Sequence, residues 1–238
     1  MRFLHTWLET VLKEQYQFVK RLRNTDKNEI VDLEHKALKK RIIKRTFSGN
    51  SEVYKKLLTL KHKNMPEILE VAESEGKVTV LEEYIDGITL FELIQDELYN
   101  EKTVKSLVSE LCDVLSLLHT HKIVHRDIKP ENIMIDNSQN VKLIDFDSAR
   151  IYKMYYPRDT EYLGTVGYAA PEQYDESATD TRADIFSLGV LMNVMLTGKN
   201  PSVQLHHGKL QKVIEKCIQV SPDKRFQTAQ ELKRSLRL

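Results

Sequence analysis

The run His125-Arg126-Asp127-Ile128-Lys129-Pro130-Glu131-Asn132 is answered thirteen residues later by Asp145-Phe146-Asp147. Phosphoryl transfer from ATP needs a carboxylate to orient the attacking hydroxyl and oxygen ligands to hold Mg²⁺ on the phosphates. Asp127 is the candidate base, and Asn132, five residues on in the same loop, is a candidate metal ligand. A cation at Lys129, two residues past the base, can reach a transferring phosphoryl group, and Asp145 adds a carboxylate for the metal. Three further runs follow in order: Leu163-Gly164-Thr165-Val166-Gly167-Tyr168-Ala169-Ala170-Pro171-Glu172, then Asp180 to Val190, then Ser221-Pro222-Asp223-Lys224-Arg225-Phe226.

Together these runs resemble the protein-kinase signatures H-R-D-L-x-x-x-N, D-F-G and A-P-E, with Asp147 where the final glycine of D-F-G belongs. The resemblance is to the bacterial relatives of eukaryotic Ser/Thr protein kinases, and it covers the chain from about Tyr16 onward. It implies an α+β, two-lobed protein-kinase fold: a small lobe with a five-stranded antiparallel sheet and a short helix C, and a larger helical C-terminal lobe. It implies ATP and Mg²⁺ as cofactors and a protein substrate with a Ser or Thr acceptor, since a lysine at the Lys129 position marks the Ser/Thr branch. By the same resemblance Asp184 ties down the backbone of the catalytic loop, Arg225 pairs with Glu172, and Thr165 caps the floor beside Asp127. Thr160 is a candidate phosphate acceptor that Arg126 would grip.

The amino-terminal third departs from the family pattern. The first of eight glycines is Gly49, so no glycine-rich phosphate loop exists. Setting Val31 at the valine of that pattern puts Asn24, Asp26 and Glu29 where its glycines belong, and Asn24 to Asn28 reads as a solvent-pointing turn. Two lysines compete for the phosphate-binding place on the third strand. Lys39 follows Val31 by only eight residues, whereas Lys44 follows it by thirteen, leaving room for a second strand and a turn, and is preferred. Its expected helix-C partner is Glu52. In Val80-Leu81-Glu82-Glu83-Tyr84-Ile85-Asp86-Gly87, the backbone of Glu83 and Ile85 is expected to meet the adenine edge. Glu82 falls on the gatekeeper position, where a buried carboxylate needs a cation, and Lys44 is the expected partner.

The missing glycine loop, Asp147 and Glu82 leave a second reading open, a pseudokinase acting as a nucleotide- or protein-binding module. A small-molecule kinase of the aminoglycoside type shares the Asp and Asn spacing but usually lacks Lys129 and A-P-E.

Segments with helical or strand periodicity surround these residues. Residues 3–14 align Phe3, Leu4, Trp7, Leu8, Val11 and Leu12 on one helical face, which is expected to pack on the small lobe. Strands are expected at 16–22, 30–36, 41–47, 68–73 and 77–84, with a short helix near 52–60. Thr89 and Glu92 form a capping box, a long helix spans Leu107 to Leu118, and short strands Ile133–Ile135 and Val141–Ile144 flank a turn. Helices are expected near 181–197, 209–219 and 228–237. The resulting division is 1–15, an N-terminal helix on the kinase domain; 16–85, the small lobe; and 86–238, the large lobe, with a hinge near 83–87.

Thirty-six basic and thirty-five acidic residues give a net charge of +1, so there is no global field to attract nucleic acid or an anionic membrane, and neither is an expected partner. No apolar run is long enough to span a bilayer. Cys112 and Cys217 fall at apolar helical positions and read as buried free thiols in a reducing, cytoplasmic compartment.

Overall fold

The computed structural model describes residues 2–25, 28–152, 165–174 and 179–236. Its contacts divide the chain into two bodies: Met1–His62 with Pro66–Asp86, and Lys63–Met65 with Gly87–Leu238.

In the first body, helix α1 (Arg2–Gln15) leads into strands β1 (Tyr16–Asn24), β2 (Asn28–His35) and β3 (Arg41–Ser48). The short helix α2 (Glu52–Leu57) separates these from β4 (Ile68–Ser74) and β5 (Lys77–Glu83). The strands form one antiparallel sheet in the order β1-β2-β3-β5-β4. Leu8 and Leu12 lie one helical turn apart, so they share a face of α1. They pack with Ile42, Ala72 and Leu81 on one side of the sheet, joined by Tyr16 and Leu33. Trp7, on the same predicted apolar face, is instead exposed. α2 covers the other side of the sheet, where the Tyr54 ring meets Phe47 at 5.5 Å between centroids.

Where a glycine loop would stand, the β1–β2 ladder runs on to its last pair on either side of residues 26–27. Asn24 pairs with Glu29, the Thr25 N–H donates to Asn28 O at 2.9 Å, and Glu29 meets Arg21 at 3.0 Å. Asp26 and Lys27 lie outside the described residues. Lys39 sits in the β2–β3 turn with a positive φ of 56°, so it belongs to the connection and not to a strand.

The second body starts with strand β6 (Gly87–Thr89) and helices α3 (Leu90–Asp96) and α4 (Glu101–Thr120). Thr89 and Glu92 close the capping box, and Asn100 accepts the N–H of Thr103 at the start of α4. Val104, Leu107, Val108, Leu111, Leu115 and Leu118 recur at helical spacing and are buried, the stripe that anchors α4. Four short strands follow: β7 (Ile123–Val124), β8 (Ile133–Asp136), β9 (Val141–Leu143) and β10 (Arg150–Ile151). β8 lies between β6 and β9, and β7 pairs with β10.

Helix α5 (Arg182–Thr197) is buried on nearly all sides and ends at Gly198, whose φ of 69° is the left-handed cap that favours glycine. α6 (Gln211–Cys217) crosses it where Gly189 has no side chain; a Cβ there would stand 2.4 Å from the Cβ of Cys217. α7 (Ala229–Ser235) begins at Thr228, which accepts the Glu231 N–H. No helix among the described residues is long and apolar enough to cross a membrane.

Candidate active site

The short strands clamp the chemistry-bearing loop at its ends. β7 stops one residue before His125, β8 starts one residue after Asn132, and β9 stops two residues before Asp145. The Ile144 N–H donates to Asn132 O at 2.9 Å, which keeps the two segments side by side.

Beneath the loop, Asp184 is completely buried. Its Oδ2 accepts the His125 N–H at 3.0 Å and its Oδ1 accepts the Arg126 N–H at 2.9 Å. The His119 ring adds a hydrogen bond from Nε2 at 2.8 Å. Burial pushes the carboxyl up, but the His119 hydrogen bond and charge, with the backbone donors, pull it below the ordinary aspartate value. Arg126 and Asp145 both adopt positive φ, 66° and 64°. A non-glycine residue takes that conformation only where its surroundings impose it. For Arg126 they include the Gln173 side chain donating to its carbonyl at 2.8 Å and its own Nε donating to Ser148 O at 2.8 Å.

Asp127 gathers the other groups. Asn132 Nδ2 donates to both its carbonyl and its Oδ2, each at 2.8 Å. Lys129 Nζ lies 3.0 Å from Oδ2 and donates to Thr165 Oγ1 at 2.6 Å, and the Thr165 hydroxyl donates to Asp127 Oδ1 at 2.7 Å. Asp127, Lys129, Asn132 and Thr165 are thus one hydrogen-bonded set, with Asp145 adjacent through the Ile144 link. Asn132 directs its amide NH₂ group to Asp127, so its Oδ1 is the end with which it would ligate a cation. That amide oxygen and the nearby Asp145 carboxylate are hard oxygen donors of the kind Mg²⁺ takes.

The first body departs from expectation. Lys44 pairs with neither Glu52 nor Glu82; its Nζ meets Glu9 Oε1 of α1 at 2.6 Å. The reason is strand alternation. Lys44 stands opposite Leu81 on β5, on the face that α1 covers. Glu82 stands opposite Ile43 on the other face, where its Oε1 accepts from Arg45 Nη2 at 3.1 Å. Glu52 is the exposed first residue of α2. Glu83 closes β5, its N–H already donated to Glu67 O at 2.8 Å, and Ile85 is buried. Counting residues from Val31 leads to Lys44 and passes over Arg45; Ile42 and Ile43 are both buried, so the alternation alone does not say which of the two cations shares the face of Glu82. Thr160 lies outside the described residues.

Arg225 also takes the place expected of it. Its Nη1 and Nη2 donate to the two Glu172 oxygens at 2.6 and 2.8 Å, tying the segment before α5 to the segment before α7.

The family description "Protein kinase domain" matches residues 15–237. Among curated proteins, the chain is 31% identical over 184 residues to the serine/threonine-protein kinase PknB of Mycolicibacterium smegmatis, covering 66% of this chain and 29% of that protein. It is 29% identical over 207 residues to PknB of Mycobacterium leprae, covering 74% of this chain and 33% of that protein. The chain therefore spans about a third or less of these relatives' length. Both are named as serine/threonine-protein kinases. The matched length, with the pinned loop around Asp127 and the paired Arg225 and Glu172, shows that this chain belongs to the protein kinase family.

Proposed function

We propose that this chain transfers the γ-phosphoryl group of ATP to serine or threonine hydroxyls of protein substrates, including its own. The observation that carries this reading is the closed set of Asp127, Lys129, Asn132 and Thr165 on a loop held by Asp184. Asp127 orients the acceptor hydroxyl and takes its proton as that oxygen bonds to the γ-phosphorus and the bond to the ADP oxygen breaks. Lys129 places a positive charge beside the group in flight. Asn132 Oδ1 and Asp145 would hold Mg²⁺, which when bound neutralises charge on the phosphate oxygens. The backbone of Glu83 and Ile85 would meet the adenine edge, with Ile85 adding apolar surface. Residues 16–85 and 86–238 are read as the two lobes of one catalytic domain carrying the helix of 1–15. Two buried cysteines without a disulfide and the use of ATP suit a cytoplasmic setting.

Incubation with labelled ATP, Mg²⁺ and a generic basic protein tests the reading. Asp127→Asn is expected to lower incorporation by about 10²–10⁴-fold, the worth of a general base. Equal label in wild type and variant, or none in either, would remove the proposal.

A further inference from the structure

The two faces of the first body's sheet carry different cations. On the α1 face, Lys44 stands opposite Leu81 and is engaged by Glu9 at 2.6 Å. α1 covers that face through Leu8 and Leu12. On the opposite face Ile43, Arg45 and Phe47 of β3 stand beside Val80 and Glu82 of β5. That is the face on which α2 rests, through Tyr54 on Phe47 and through Ser51 and Lys55 on Glu73. Arg45 and Glu82 are diagonal neighbours across the β3–β5 ladder, both buried, with a 3.1 Å contact.

We propose, resting on the kinase reading above, that Arg45 and not Lys44 is the cation with which this body grips the nucleotide's phosphates, and that Glu82 competes with the nucleotide for it. A guanidinium fork fits phosphate oxygens at least as well as a carboxylate, and a polyphosphate brings more negative charge than Glu82 does. Exchange is therefore feasible. It leaves Glu82 a buried carboxylate that has given up its arginine, and that cost is charged against nucleotide affinity. The ion pair then acts as an internal brake: the cation is kept, held in place by the protein's own anion, and released only to a ligand that outcompetes it.

Equilibrium titration with a fluorescent ATP analogue and Mg²⁺, which needs no phosphoryl transfer, tests the inference. Glu82→Gln is expected to tighten binding by roughly tenfold, the equivalent of about 1.4 kcal/mol. Because Arg45→Ala alone could fail to fold around a stranded carboxylate, the double variant Arg45→Met with Glu82→Met is the fair test. Apolar replacement of a buried ion pair is often neutral for stability, so its melting temperature should match wild type while its nucleotide affinity falls at least tenfold. Lys44→Gln should weaken binding less than this double variant does. Unchanged or weaker binding by Glu82→Gln overturns the proposal, as does a folded double variant that binds like wild type or no binding by any variant. The kinase reading fails separately: a chain whose nucleotide affinities follow this pattern but which transfers no label loses only that reading, and one that transfers label with unaltered affinities loses only this one.

Discussion

Asp184 receives three donors at two oxygens, from the backbones of His125 and Arg126 and from the His119 ring. Asp184→Asn replaces one acceptor oxygen with an NH₂ group that faces an N–H. One buried donor loses its partner, at about 1–3 kcal/mol, and the peptide leading into Asp127 is no longer fixed. The expected outcome is a folded but less stable protein with kcat reduced well beyond any change in KM, measured by urea unfolding and steady-state assays. The carboxyl's lowered value sets a sign for pH dependence. Its contribution is fully present above the unfolded aspartate value of about 4 and is lost as the pH falls through the lower folded value. The stability gap between wild type and Asp184→Asn should therefore be wide at neutral pH and narrow in strong acid.

At the level of elements, Arg225 fastens three segments to one another. Besides Glu172, its guanidinium donates to the carbonyls of Arg182, Gln219 and Val220, and its side chain is fully buried. Glu172→Gln leaves a buried guanidinium short of its counter-charge, with an expected loss of about 3–5 kcal/mol in chemical denaturation. This pair, the capping box of Thr89 and Glu92 and most helix and strand positions were legible in the sequence, because caps and apolar periods are written locally. β6, β7 and β10 were not, since two or three residues carry no period. The faces of β3 were not legible either. Lys44 and Arg45 are adjacent, and which of them points away from α1 depends on Leu8 and Leu12, more than thirty residues earlier in the chain. The catalytic loop was readable because its groups lie within a few residues of one another; the cation of the first body was not, because its identity is a question of register.

Across the molecule, both thiols lie in the second body, on α4 and α6, and both are buried. Burial pushes Cys112 up to about 12 and Cys217 well above its ordinary value. The thiolate is the reactive form, so an alkylating reagent at pH 8 is expected to label neither in the folded protein and both in denaturant. Quick labelling of either without denaturant would show that this body opens far more readily than its packing implies. The other body raises a matter of borders. The family match begins at residue 15, yet Leu8 and Leu12 are sealed against Ile42, Ala72 and Leu81, and Glu9 holds Lys44. Trimming the protein at the family's edge would strip a wall from the sheet, leaving an oily surface studded with an unmatched ammonium. Such a fragment would be sticky and prone to precipitate for reasons unrelated to its catalytic groups, and its inactivity would be easily mistaken for a defect in chemistry.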